Sequence, residues 1–334
     1  MNKQRGFIIF FLLFLLISIK STDLQQEKKR IAETGVIVEN YDGTGRAVSK
    51  CFRTPPGRVV TVWQNSVETL LALGLRDKIV AAVGVPYPEC IKEEYRKEYS
   101  EIPIKQFQLL DTESLLMLSP DLIVAWASTF SYKVTKPTEF WEQREVQTYV
   151  MCSSLKTSKA KTIQDEYEYI RDMGRIFRKE EQAEAIVGKM ERKISMIKQQ
   201  TVGREKPKTL ILELMKDSVM TYDKKTLAGD IAQQVGGEVI DTEKSIGYEQ
   251  IIQENPDVIF FVVSESNYAS ADNLLDEFMK KQYLQSVNAV RNRRVYVAPL
   301  FMVYGSGVRT YEGICLMVKG LHPDLQEGRE GADE

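Results

Sequence analysis

The sequence predicts an α/β protein of two related lobes joined by a helical segment, and three observations carry that prediction. Short apolar runs alternate with helical stretches, the pattern of βαβ units that build a largely parallel sheet. One segment recurs: Thr112-Glu113-Ser114-Leu115-Leu116-Met117-Leu118-Ser119-Pro120-Asp121-Leu122-Ile123-Val124 is echoed by Tyr248-Glu249-Gln250-Ile251-Ile252-Gln253-Glu254-Asn255-Pro256-Asp257-Val258-Ile259-Phe260, with Glu, Pro and Asp in register. Between the copies, residues 162–201 carry apolar positions at helical spacing. At 334 residues, 43% hydrophobic and 28% charged, the chain has the length for two domains of about 100–200 residues each.

Taken in order, the elements begin with Lys3 and Arg5 ahead of an apolar run from Phe7 to Ile17 that extends to Ile19. The run is shorter than the ~20 residues of a membrane span, so residues 1–21 read as a signal peptide or an uncleaved N-terminal anchor. Ile19-Lys20-Ser21 is only loosely a small-x-small cleavage site, and no cysteine follows to accept a lipid. Either reading places the remainder outside the cytoplasm, in the periplasm or on the outer face of the cytoplasmic membrane.

Val36–Val38 and Arg46–Val48 flank Asp42-Gly43-Thr44-Gly45, a hairpin signal. After Pro55-Pro56-Gly57, Arg58–Val62 reads as a buried strand leading to a helix with Leu70, Leu71 and Leu73, and Ile79–Val83 as the next strand. Each copy of the repeat reads as a short helix with a Glu near its start, a Pro-Asp turn and an apolar strand. These boundaries give a first lobe at 36–160, a helical linker at 161–202 and a second lobe at 203–325. Within the linker, Ile163, Tyr167, Ile170, Gly174 and Phe177 form one stripe and Ala183, Ile186, Val187, Met190, Ile194 and Ile197 another; the gap at 178–182 indicates two helices or a kink. Pro207 ends it, and Thr209–Leu214 opens the second lobe.

Composition removes several function classes. Lys and Arg total 45 against 47 Asp and Glu, a net charge of −2, so no polycation is available for nucleic acid. The single histidine, His322, serves neither a zinc site nor a Ser-His-Asp triad. No GxxxxGK[ST], GxSxG, HExxH or complete GxGxxG is present, and Gly305-Ser306-Gly307 reads as a flexible turn. Asp230, Glu265 and Asp272 are conceivable acid-base groups of an enzyme, but no nucleophile-base pair accompanies them, so no enzyme is expected. Cys51, Cys90, Cys152 and Cys315 form no CxxC pair; they allow three disulfide pairings or serve as small buried hydrophobes.

The ordered set of Arg58-Val59-Val60, Glu68-Thr69-Leu70-Leu71-Ala72-Leu73-Gly74-Leu75, the Glu113 and Pro120-Asp121 segment, the helical linker, Gly229-Asp230 with Gly236-Gly237, the second Glu and Pro-Asp segment, and Gly320-Leu321-His322-Pro323 resembles the iron-siderophore and vitamin B12 type (class III) of solute-binding proteins that feed ABC importers. The resemblance covers nearly everything after Arg46. It implies two Rossmann-like α/β lobes joined by one rigid long helix, a monomer, and a ligand held in the interlobe cleft with modest hinge motion. It also implies that Glu113 and Glu249 dock onto basic residues of the importer permease; the plainer reading of each is a first-turn carboxylate complementing the helix dipole.

Open α/β sheets place their sites beyond the strand carboxyl ends. That rule selects Trp63, Gln64, Asn65, Tyr87 and Trp126 in the first lobe and Tyr222, Tyr268, Tyr304 and Arg309 in the second, the aromatics for stacking and Arg309 for a forked contact to an anionic chelate. Lacking a set of histidines, the chain is not expected to hold bare zinc or manganese. A pre-chelated ligand fits better. The Trp63-Gln64-Asn65 and Tyr149-Val150-Met151-Cys152 segments resemble the siderophore branch, so a ferric chelate is the first expectation. Cobalamin, for which Trp126 is suited, and haem, with Tyr87, Tyr222 or Tyr304 as axial ligand, are the alternatives. A membrane-anchored ligand sensor of the same fold is a further reading.

Overall fold

A computed structural model describes residues 35–156, 159–215 and 218–325; the apolar segment at 1–21 lies outside the described residues. A hairpin comes first, β1 (Val36–Tyr41) pairing antiparallel with β2 (Ala47–Phe52). Asp42 fixes its turn by accepting from the backbone N–H groups of Thr44 (2.8 Å) and Arg46 (3.0 Å). Asn40 exchanges two hydrogen bonds with the backbone of Val150, at 3.1 and 2.8 Å, and so ties the hairpin to the first lobe.

The first lobe runs β3 (Val59–Val62), α1 (Gln64–Ala72), β4 (Ile79–Val83), α2 (Glu93–Ser100), β5 (Ile104–Gln106), α3 (Thr112–Met117), β6 (Leu122–Ala125), α4 (Thr138–Glu142) and β7 (Gln147–Val150). Its five strands are all parallel, in the order β5-β4-β3-β6-β7. Next come α5 (Ile163–Phe177) and α6 (Glu180–Gln200). The second lobe follows with β8 (Lys208–Leu214), β9 (Val219–Thr221), α7 (Leu227–Gln234), β10 (Glu238–Val239), β11 (Ser245–Ile246), α8 (Tyr248–Glu254), β12 (Val258–Val263), α9 (Ala271–Met279), α10 (Asn288–Arg291), β13 (Val295–Pro299), α11 (Leu300–Val303) and α12 (Thr310–Leu321). Its sheet has the order β11-β9-β8-β12-β13 with β10 beside the start of β8; β9 pairs antiparallel with both β8 and β11, and the other pairs are parallel. Every residue of β3, β6 and β12 is buried, as parallel strands covered on both faces require.

The connection between the lobes corrects one expectation. In place of a single rigid long helix the chain makes two, because Arg178 adopts the left-handed conformation (φ 59°). The N–H groups of Arg178 and Lys179 close the end of α5 on Arg175 and Gly174 carbonyls. The two helices then pack against each other. Their stripes, including Ile170, Met173, Val187 and Met190, belong to the same buried cluster as Val67 and Leu70 of the first lobe and Ile211 and Ile314 of the second. One apolar core thus passes through the helix pair into both lobes.

The internal repeat has a physical basis. Asp121 accepts from the backbone N–H groups of Gly57 (2.7 Å) and Arg58 (2.9 Å), while Asp257 accepts from that of Lys208 (3.0 Å) and from Asn288 Nδ2 (3.2 Å). Each carboxylate fastens the start of the neighbouring central strand, β3 or β8. Ser119 (φ 45°) and Asn255 (φ 46°) make the same left-handed turn just before the proline. Replacing Asp121 or Asp257 with Ala strips charge-assisted bonds from a strand end, so each variant is expected to lose about 1–3 kcal/mol of unfolding free energy in urea. Losses below about 0.5 kcal/mol in both would show that the carboxylates do not hold the strands.

Candidate functional site

The candidate cleft lies where the carboxyl ends of both parallel sheets meet. Trp63 follows β3 directly, with φ 75° and ψ 156°, a backbone conformation unusual for a bulky residue. Its N–H donates to Val83 O at 2.8 Å, and its ring lies on Gly84, where a Cβ would stand 2.8 Å from Trp63 Cε3. Only glycine lets the indole lie there. Trp126, after β6, stacks on Trp63 with ring centroids 4.8 Å apart at 24°, and Tyr304 of the second lobe meets Trp126 edge-on at 5.5 Å. Gln64, Asn65, Glu265, Phe301 and Gly305 complete the lining. The three rings fill one another's space, leaving a cavity of about 10 Å³, room for one water at most.

Below the rings, the segment Tyr304–Arg309 is clasped to the first lobe and the helix pair. Asn65 Nδ2 donates to Gly305 O, Gly307 N–H to Glu166 Oε2 (2.6 Å), and Arg309 Nη1 to Glu68 Oε1 (2.9 Å) and Cys90 O (3.3 Å). Glu68 also accepts from Gln64 Nε2 (3.0 Å) and Lys92 N–H (2.7 Å). Gly305-Ser306-Gly307 is therefore not the flexible turn that its composition suggests. All three residues are buried, and a Cβ on Gly307 (φ 53°) would collide with Thr69 Oγ1. The glycines let two backbones approach.

Of the residues expected at the site, Trp63, Gln64, Asn65, Trp126 and Tyr304 line this one cavity. Tyr268 sits at its margin, edge-on to Phe301 at 5.4 Å. Tyr87, 46% exposed, is not among the lining residues. Tyr222 is buried, its hydroxyl donating to Glu213 Oε2 at 2.6 Å, so it packs beneath the cleft instead of offering an axial oxygen. Arg309 does not project for an anionic chelate: it is 6% exposed, paired with Glu68, its guanidinium 4.7 Å from the Phe301 ring centre. The reason is tertiary: Arg309 lies against α1, where the buried Glu68 carboxylate needs a cation. Asp230 accepts from the N–H of Ile163 at 2.8 Å and Asp272 is exposed in the first turn of α9. Burial pushes the Cys90 thiol up to about 11.

Sequence reasoning did not single out Glu68 or Glu166, and it read Glu265 only as a conceivable acid-base group. A signal for Glu166 exists: it falls between Ile163, Tyr167 and Ile170 on the apolar stripe of α5. Burial pushes its carboxyl up to about 7, against the hydrogen bonds from Gly307 and Ser153. Burial likewise raises Glu68, opposed by Arg309, and raises Glu265, reinforced by Glu213. Around the cavity, Trp63 Nε1, Trp126 Nε1, Gln64 Oε1 and Asn65 Oδ1 are buried without a protein partner. The two amide nitrogens face acceptors, which fixes both oxygens as the unpartnered ends. Flat aromatic surface rimmed by two donors and two acceptors is equipment for holding a polar-edged ring system. Among the described residues no cluster of three or more His, Cys, Asp or Glu is placed to hold a metal ion, and no helix is long and apolar enough to cross a membrane.

Glu166 makes the clasp sensitive to pH. Its carboxyl is ordinarily near 4.5 and stands at about 7 in the folded chain, so the folded state holds the proton more tightly. The resulting stabilisation is complete below about pH 4.5 and is lost as pH rises through about 7, a change on the order of 3 kcal/mol. Glu166→Gln keeps an acceptor for Gly307 N–H without titrating. Urea unfolding at about pH 5 and about pH 8 should show a loss larger in the wild type than in the variant by about 2 kcal/mol or more; parallel pH profiles would place the titration elsewhere.

Comparison with known proteins agrees with this architecture. The family model described as periplasmic binding protein matches residues 59–300. An uncharacterized ABC transporter substrate-binding lipoprotein, YvrC, of Bacillus subtilis is 23% identical over 307 residues, 90% of each chain. A vitamin B12-binding protein of Vibrio parahaemolyticus is 22% identical over 72% of this chain and 81% of its own. Among solved structures, a periplasmic binding protein from Veillonella parvula superposes with a TM-score of 0.84 at 39% identity, covering 87% of this chain and 93% of that one. An ABC-type Fe3+-hydroxamate transport system protein from Saccharomonospora viridis, 19% identical over 85% of this chain and 98% of its own, shares the fold at a TM-score of 0.69. With its parallel-sheet α/β fold and a family model matched over most of its length, the chain belongs to the periplasmic binding protein family.

Proposed function

We propose that this protein is an extracytoplasmic solute-binding protein that captures a metal chelate, a ferric siderophore first among the candidates, and delivers it to an ABC importer. The observation that carries this reading is the Trp63, Trp126 and Tyr304 cluster, drawn from both lobes and rimmed by unpartnered polar atoms. A chelate offers the matching surface, apolar faces with a polar edge. Cobalamin is the second reading, supported by the flat Trp63–Trp126 pair, which suits a corrin, and by relatives named for vitamin B12 binding. A cavity of about 10 Å³ admits neither, so binding requires the Tyr304–Arg309 segment and the first lobe to part. The shared apolar core keeps that motion small.

Handover is assigned to Glu113 and Glu249. Both are exposed, and each carries a partly exposed apolar neighbour at the same offset, Leu116 (37%) and Ile252 (36%). Complementing a helix dipole explains the carboxylates but not the matched apolar pair, whereas a protein partner with basic and apolar contacts explains both.

Tryptophan fluorescence with ferric hydroxamate, ferric catecholate, haem and cobalamin should reveal one bound chelate per chain. Trp126→Ala should weaken binding by about tenfold, the value of one buried aromatic contact. If no chelate in the panel binds, the reading is wrong. For handover, Glu113→Ala with Glu249→Ala should leave chelate affinity intact yet reduce uptake in membranes reconstituted with the importer, the deficit shrinking as salt screens the wild-type attraction over ~8–10 Å. Full uptake by the double variant at low salt would return both residues to helix-dipole partners.

A further inference from the structure

The charge of the cleft is not that of a site for an anion. Among the described residues lining the cavity, Glu265 alone carries a charge, and no Lys or Arg joins it. The nearby cations are committed elsewhere: Arg309 pairs with Glu68 at 2.9 Å, and Lys92 with Glu312 at 2.9 Å and Glu94 at 3.0 Å. Parting the lobes uncovers Glu68 and Arg309 together, so it adds one negative and one positive charge to the cleft and leaves its net charge unchanged. The groups that act on Glu265, or feel it, add no positive charge: Glu213, itself bonded to the Tyr222 hydroxyl, Tyr222 and the Cys90 thiol.

Resting on the chelate-binding reading, we propose that the cleft selects chelates of zero or positive net charge, and that Glu265 is the residue that sets this preference. Glu265 follows β12 at the carboxyl end of the sheet and has no salt-bridge partner among the described residues, so its carboxylate is available to a ligand cation. A trianionic chelate would be brought out of water against a like charge in a cleft whose one uncovered cation, Arg309, comes with the anion Glu68, an arrangement that costs free energy on both counts. Burial pushes the Glu265 carboxyl up, and this does not rescue an anion: ionised, the group repels it, and protonated, it offers one neutral donor. A cationic chelate instead draws the proton off and gains an ion pair. The unpartnered Gln64 Oε1 and Asn65 Oδ1 work in the same direction, as acceptors for an ammonium or hydroxyl on the ligand rim.

The test uses four probes on the purified protein, followed by tryptophan fluorescence: a neutral ferric trihydroxamate, a cationic ferric trihydroxamate with a free ammonium group, cyanocobalamin and a trianionic ferric tricatecholate. At least one neutral or cationic probe should bind the wild type more tightly than the tricatecholate by about tenfold or more. Glu265→Gln should reduce the preference for the cationic over the neutral hydroxamate by about tenfold, and Glu265→Lys should raise tricatecholate affinity, with melting curves verifying that both variants fold. A tricatecholate that binds tightest, or affinity ratios unmoved in both variants, overturns the charge selection while leaving chelate capture in place. Failure of every probe to bind overturns chelate capture and the selection with it.

Discussion

The contact on which the rest of this structure depends is the clasp between the Tyr304–Arg309 segment and helices α1 and α5. Three hydrogen bonds cross it, from Asn65, Gly307 and Arg309, and each ends on a group hidden from water. Breaking one leaves a buried polar atom unsatisfied, which costs more than the bond contributes when made. The clasp therefore behaves as a unit. It brings Tyr304 against Trp126, which in turn holds Trp63 over Gly84. The cleft is built from this stack.

Beneath the clasp, the helix pair converts two lobes into one body. A single α5–α6 hairpin contributes to a core shared with both sheets, so the lobes cannot swing apart without exposing apolar surface. Yet the mouth must open to admit anything larger than water. The two demands meet in the aromatic rings, which sit at the edge of the core and are joined by stacking instead of backbone pairing. On the proposed reading opening breaks the clasp as well as the ring stack, while Asp121 and Asp257 anchor the central strands away from it.

Three carboxylates mark the interface, Glu68 and Glu166 buried and Glu265 half-buried, and their environments differ in an informative way. Glu68 has a guanidinium and a backbone N–H, Glu166 has backbone and hydroxyl donors but no cation, and Glu265 has neither cation nor clasp partner. The first is a structural ion pair, the second a titrating fastener, and the third faces the cavity. Compensation decreases from the clasp towards the cleft, leaving the least satisfied group at the candidate site.

Much of the fold follows from local rules written into the sequence. Alternating apolar runs specify a parallel sheet because both faces of such strands must be covered, and the Pro-Asp motif recurs because a carboxylate at that position closes the start of the adjacent strand. Trp63 and Trp126, each directly after a strand, were legible as residues of a common edge because parallel sheets direct them there, whereas the same rule also selected Tyr87 and Tyr222, which do not line the cavity. Contacts between distant segments were not legible. Arg309 and Glu68 are separated by 241 positions, and no local pattern states that they pair, so the arginine reads as a ligand contact until its partner is seen. Gly305-Ser306-Gly307 reads as loose chain because glycine's freedom is visible in sequence, whereas the crowding that uses it is not. Glu166 on an apolar stripe announced only that something must satisfy it. The sequence by itself determined most of the secondary structure and the strand-end residues that gather at one edge, through short-range sterics and burial; tertiary structure alone decided which charges cancel and which remain unpaired, because cancellation depends on distances in space that chain spacing does not encode.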